Sequence, residues 1–188
     1  DLVRKAIPVI LCFAGAAAIA TGVSFFSQTG KDEKFATIGA APLSAEEFSN
    51  ESYKLLPEML AVIYRAFAET EERRIYDTLA EVSADEALET LYLERVGAMA
   101  GGGLERADQE LHAMELVGLS SRRTGDTLRM NVSWRVVGTV GHATHLHVRG
   151  NTYAADLIIE PVEGVWRISD FELTDVDRSD AGMLVASE

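Results

Sequence analysis

The chain has 188 residues, 47% of them hydrophobic and 25% charged, with a formal net charge of −13. That charge excludes a nucleic-acid partner, whose phosphates it would repel, and disfavours a domain lying flat on anionic lipid. The single cysteine, Cys12, leaves no internal disulfide and no thiolate metal site.

Residues 1–26 read as a transmembrane anchor. Ile7 to Phe26 is an unbroken apolar run without a charge. At about 1.5 Å rise per residue it spans a hydrocarbon core about 30 Å thick. It exceeds the ~7–15-residue core of a signal peptide, and Leu11 is too bulky to precede a lipoprotein cysteine at Cys12. Arg4 and Lys5 precede the run, whereas Lys31 and Lys34 follow it interleaved with Asp32 and Glu33. The positive-inside rule then puts the N-terminus in the cytoplasm and the rest outside, periplasmic at a bacterial inner membrane. Ala14, Ala18 and Gly22 fall at i, i+4 and i+8, with Ala16, Ala20 and Ser24 as a second line. Small residues on one face let a partner helix pack closely in lipid.

Residues 27–43 read as a polar linker. Ser44-Ala45-Glu46-Glu47 is a capping box that opens a helix, followed at helical spacing by Leu55, Met59, Val62, Ile63, Ala66 and Phe67, with Pro57 inside. Thr70 begins a second helix, whose acidic start (Glu69, Glu71, Glu72) suits a solvated N-terminus and whose apolar face is Ile75, Leu79 and Val82. Ser83-Ala84-Asp85-Glu86 repeats the capping pattern before Leu88, Leu91, Tyr92 and Val96, and Gly101 to Gly103 close the helical half.

The apolar period then becomes two. Leu111 to Leu119 reads as a strand, with a turn from Ser120 to Asp126. Leu128, Met130, Val132, Trp134 and Val136 alternate with polar residues in the next strand. A long strand runs from about Thr144 to Glu160, with an expected bulge at Gly150 that moves the inward positions from Leu146 and Val148 to Tyr153, Ala155, Leu157 and Ile159. Pro161 to Gly164 turns into Val165 to Val176, and 177–188 reads as a polar tail. Residues 44–176 thus form one α+β domain, three helices on a bent antiparallel sheet.

The closing hairpin, Tyr153-Ala154-Ala155-Asp156-Leu157 through Gly164-Val165-Trp166-Arg167-Ile168 to Asp170-Phe171-Glu172-Leu173, resembles the final strands of the nuclear-transport-factor-2-like (SnoaL-like) superfamily. The resemblance covers Leu55 to Val176 in element order and implies a cone-shaped fold shared by enzymes and by many binding and assembly domains. The stretch Gly138 to Tyr153 is also similar to uncharacterised bacterial membrane-anchored proteins.

Three of the four histidines crowd into Gly141 to His147. His145 and His147 share a strand face about 7 Å apart, and His142 lies at the neighbouring turn. Neutral imidazoles at this density suit zinc or copper; an exposed polar stripe with Arg149 and Asn151 is the plainer account. The cone resemblance implies an acid–base pair in a cavity, for which His145 or His147 with Asp170 or Tyr153 are the candidates. Met59, Phe67 and Trp134 could fill that mouth instead, and Tyr64, Tyr76, Tyr92, Met99, Trp166 and Phe171 fit a core. Asp175, Asp177 and Asp180 lack the glycine and closing glutamate of a calcium loop.

Together these features predict a non-enzymatic, single-span accessory subunit of a bacterial membrane complex. It would contact other subunits through the anchor and the external domain, with no resident cofactor. The rivals are a membrane-anchored metal-binding or metal-delivery domain using His142, His145 and His147, and an acid–base enzyme.

Overall fold

A computed structural model describes residues 33–100, 109–142 and 145–185, with side chains for 33–100, 113–138 and 150–178. Two short strands come first, β1 (Phe35–Thr37) and β2 (Ala40–Leu43), then helices α1 (Ala45–Ala68), α2 (Glu72–Leu79) and α3 (Asp85–Ala100). Four long strands follow: β3 (Gln109–Thr124), β4 (Thr127–His142), β5 (His145–Val162) and β6 (Val165–Val185). They form a curled six-stranded sheet in the order β2-β1-β6-β5-β4-β3, with the three helices packed on its inner face.

The strands at 35–43 replace the expected linker. β1 turns into β2 through Ile38 and Gly39, the latter at φ +70, and lies parallel to β6 at Ala36↔Val165. The sheet is therefore mixed, not antiparallel throughout. At the other end β6 runs on to Val185, so most of the expected tail is strand.

Helix α1 starts where the capping box places it. Ser44 Oγ accepts from the Glu47 backbone N–H at 3.3 Å, and Glu47 Oε2 accepts from the Ser44 N–H at 2.8 Å. Lys34 donates to Glu47 at 2.6 Å, and this bond together with the Ser44 N–H holds the carboxyl below its usual range. Pro57 is carried inside a continuous helix. The second capping pattern does not form. Ser83 Oγ donates instead to Leu79 O at 2.7 Å, because the backbone of 82–84 pairs with β6: Ile168 N–H donates to Val82 O and Ala84 N–H to Ile168 O. Asp85 then enters α3 at φ 48, a conformation that Asp tolerates better than most residues.

Curvature comes from bulges on the outer partners of the central pair. Leu146 to Val162 on β5 faces Val165 to Val185 on β6, so β6 carries four extra residues, taken up at four register shifts. β3 carries two extra residues, His112 and Val117, against β4. Each bulge bends its strand and steepens the local twist. At the second one a Cβ on Gly118 would come within 2.7 Å of Ser133 Oγ, so glycine permits the close approach. The β4–β5 ladder, by contrast, runs without a shift from His142↔His145 to Leu128↔Ile159. The bend expected at Gly150 in β5 lies on β6, and the alternation of β5 is not reset there.

The core is one cluster between sheet and helices, built from Leu55, Met59, Val62, Ile63 and Ala66 of α1, Ile75 and Leu79 of α2, and the even-numbered positions of β4 with the odd-numbered ones of β5. At its closed end sits Trp166, 1% exposed. Its Nε1 donates to Leu43 O at 2.9 Å, and its ring meets Phe48 at 4.8 Å and Phe35 edge-on at 5.7 Å.

Among the described residues no helix is long and apolar enough to cross a membrane. The longest, α1, has 24 residues but carries Glu46, Glu47, Glu51, Lys54, Glu58 and Arg65. The expected anchor, with its packing positions Ala14, Ala18 and Gly22, lies outside the described residues. The fold shown is thus an α+β domain without a spanning helix, and single-pass insertion in a bacterial inner membrane with a periplasmic domain is not supported.

Trp166→Ala should lower unfolding free energy by about 3–5 kcal/mol, the usual cost of emptying a large buried aromatic site. Ser44→Ala should cost only about 1 kcal/mol, the usual worth of an N-cap. Urea titrations of both variants check this; equal losses would show that Trp166 is not the central contact.

Candidate functional site

The inner mouth of the sheet is closed by aromatic side chains. Trp134 on β4 and Tyr153 on β5 are direct cross-strand partners, and their rings stack at 5.5 Å and 20°. Phe171 meets Trp134 edge-on at 6.5 Å. Helix α1 lays Tyr64 over them, and Trp134 Nε1 donates to the Tyr64 hydroxyl at 2.9 Å. Asn151 Nδ2 donates to the Tyr153 hydroxyl at 3.2 Å. Burial pushes the Tyr64 phenol well above its ordinary value of 10.0, outweighing the Trp134 bond that acts in the opposite sense. Tyr64 thus stays a neutral phenol throughout the physiological range.

The outer face carries an open groove of about 470 Å³ lined by Arg122, Arg129, Asn131, Asp156, Asp170 and Glu172 among others. Asn131 Nδ2 donates to Asp156 Oδ1 at 2.7 Å. Asp170 belongs to this outer face, whereas Tyr153 belongs to the inner aromatic stack. The sheet separates these two alternative partners; the side chains of His145 and His147, with which either was expected to pair, lie outside the described residues.

The histidines occupy one end of the β4–β5 ladder. His142 pairs with His145, and His147 pairs with Val140; their side chains lie outside the described residues. Among the described residues no group of three or more His, Cys, Asp or Glu is placed to hold a metal ion. Asp175 and Asp177 sit on β6 opposite Ala154 and Thr152, spread along a strand and not gathered in a loop.

A third feature was missed from the sequence. Tyr76 on α2 is 47% exposed, where a core place was expected, and Leu93 on α3 is 57% exposed. Tyr76 meets Tyr92 edge-on at 5.6 Å, and the Tyr92 hydroxyl donates to Glu72 Oε2 at 3.4 Å. Loss of hydration around the ring, then the Glu72 carboxylate, raises the Tyr92 phenol. Only Ala87 and Leu91 of α3 are buried, so Tyr92, Val96 and Met99 are half covered. The available signal was that α3 is apolar on more than one side, at Leu91 and at Leu93, which a one-sided surface helix is not.

No family model matches the chain, and no curated protein matches it. Among solved structures it is similar to the intermembrane-space region of the chloroplast protein ARC6, at 12% identity over 66% of this chain and 95% of that one, with a TM-score of 0.44. It is also similar to a de novo designed β-sheet protein, at 13% identity over 69% of this chain and 92% of that one, with a TM-score of 0.34. Neither likeness is close enough to transfer a role. The resemblance to the nuclear-transport-factor-2-like superfamily is not upheld: no family model matches the chain, and the strand pair ahead of the helices, with β1 parallel to β6, departs from the expected antiparallel sheet.

Tyr64 makes a titration test possible. Its folded pKa is raised, so the stability it contributes is complete below the unfolded value near 10 and falls as pH rises beyond it. Tyr64→Phe should remove part of that alkaline fall, at a cost of about 1 kcal/mol at neutral pH for the lost Trp134 bond. Thermal midpoints measured from neutral to strongly alkaline pH check both parts.

Proposed function

We propose that this chain is a non-catalytic assembly domain that binds another polypeptide through the α2–α3 rim. The observation that carries the reading is the exposed Tyr76 of α2, whose ring meets the half-covered Tyr92 of α3, with Leu93 exposed on the same helix α3. Tyrosine is enriched in the energetic centres of protein interfaces, where its ring is buried and its hydroxyl is satisfied at the edge. Charged residues ring the patch: Glu72, Arg73, Asp77 and Glu89 lie on the same two helices. The aromatic plug favours the same reading, since Tyr64, Trp134 and Tyr153 fill the inner mouth of the sheet.

In native extracts the chain should run with a second polypeptide at fixed stoichiometry, at a mass well above its own 20.4 kDa. Tyr76→Glu with Leu93→Glu should release that polypeptide and leave the thermal midpoint unchanged. A chain that sediments alone, or only with copies of itself, overturns the reading.

A second reading, capture of zinc or copper by His142, His145 and His147, is favoured by the β4–β5 register. The register sets His142 directly opposite His145, with His147 two positions along the same strand, and neutral imidazoles are favoured ligands for zinc and copper. Metal content of the purified chain should then approach one ion per molecule and drop in His145→Ala. Equal metal content in the two proteins removes this reading.

A further inference from the structure

β3 ends the sheet. One side pairs with β4, and among the described residues no strand pairs with the other. Its 16 residues contain no lysine and no proline, two common means of blunting an edge, and its two bulges, at His112 and Val117, leave 118–124 regular. An open edge of this length is a template for another strand. The bulge at Val117 sets its faces: Glu115, Gly118, Ser120 and Arg122 pair with Arg135, Ser133, Asn131 and Arg129 on the outer face. Leu116, Leu119, Ser121 and Arg123 pair with Trp134, Val132, Met130 and Leu128 on the inner face.

On the outer face Arg122 stands directly opposite Arg129. Like charges at directly opposed positions destabilise a sheet. We propose that the β3 edge pairs antiparallel with the β3 edge of a second copy, about a two-fold axis at Leu119, giving one continuous sheet across two chains. In that register Glu115 of each copy faces Arg122 of the other. The row then reads Glu115, Arg122, Arg129, and a carboxylate from the second chain offsets the arginine pair. Leu116 faces Ser121, Gly118 faces Ser120 and Leu119 faces its own copy. Every pair keeps its face because the bulged Val117 drops out of both ladders alike. One patch meeting itself is the arrangement that a closed two-fold dimer requires.

Apolar cover flanks the axis. Val117 is 58% exposed, and Tyr53, 59% exposed, lies one turn of α1 beyond Ser49, whose Oγ is 3.3 Å from Ser121 Oγ. This self-pairing goes beyond the assembly reading, since a dimer of the chain neither needs nor excludes a second polypeptide at the α2–α3 rim.

Sedimentation of the full chain tests it. The native chain should dimerise. Arg122→Glu sets glutamates at 115 and 122 against each other, and Glu115→Arg sets arginines against each other, so each variant alone should weaken the dimer about tenfold or more. An equimolar mixture of the two should recover it, because each then faces its opposite charge twice. Circular dichroism confirms that the mixed variants are folded, and raising the salt concentration should weaken the native dimer through the same two rows. A native chain that stays monomeric, a dimer indifferent to both reversals and to salt, or a mixture that does not recover overturns the proposal.

Discussion

The rest of the domain depends on the burial of Trp166. Its indole joins pieces that are remote in sequence: Phe35 of β1, the Leu43 carbonyl at the end of β2, Phe48 of α1, and β6 itself. The carbonyl it binds belongs to the residue just before the N-cap Ser44, so the same bond that satisfies the indole fixes where α1 begins. A buried indole N–H without a partner carries a desolvation penalty of about 1–3 kcal/mol. Satisfying it through Leu43 obliges the first strands to lie against the core, which is why a three-residue strand with one parallel register pair to β6 can persist.

Bulges set the second constraint. The central β4–β5 pair is regular, while β3 and β6 on either side of it carry the extra residues. The flanking strands therefore curl around the central pair, and the helices fill the hollow. This curl brings α1 over Trp134 and lets Tyr64 close the mouth. It also keeps the charged outer positions, Arg129, Asn131 and Asp156, on a face that no helix covers. Closure inside and exposure outside are both results of where the extra residues sit.

What was legible in the sequence was local. The first capping box, the period-two alternation of β4 and the turn at Glu163 and Gly164 are written within a few residues, and they appear in the structure, the turn with φ 53 and 80. What was not legible depends on distant partners. Phe35 to Leu43 looks like linker because its strand character comes from Gly164 and Val165, far along the chain. Ser83 looks like a cap because the pattern does not show that Ile168 will claim the neighbouring backbone. A glycine marks a bend in the sequence at Gly150, whereas the extra residues lie in β6, at Ser169, at Thr174, within 178–179 and within 182–183. At the candidate sites, Asp170 stands on the opposite face from Ile168 because the extra residue at Ser169 shifts the register between them, which simple alternation does not show.

The strand order also has a kinetic meaning. β3 to β6 follow one another in the chain and pair as consecutive hairpins, so each closes a short loop. β1 alone must find a partner, Val165, from which it is separated by all three helices and three long strands. Loop-closure entropy grows with that separation, and pairings between distant segments are gained late in folding. The seam between β1 and β6 is thus the part of the sheet with the largest closure cost, and the Trp166 bond to Leu43, which ties the same distant segments together, helps offset it.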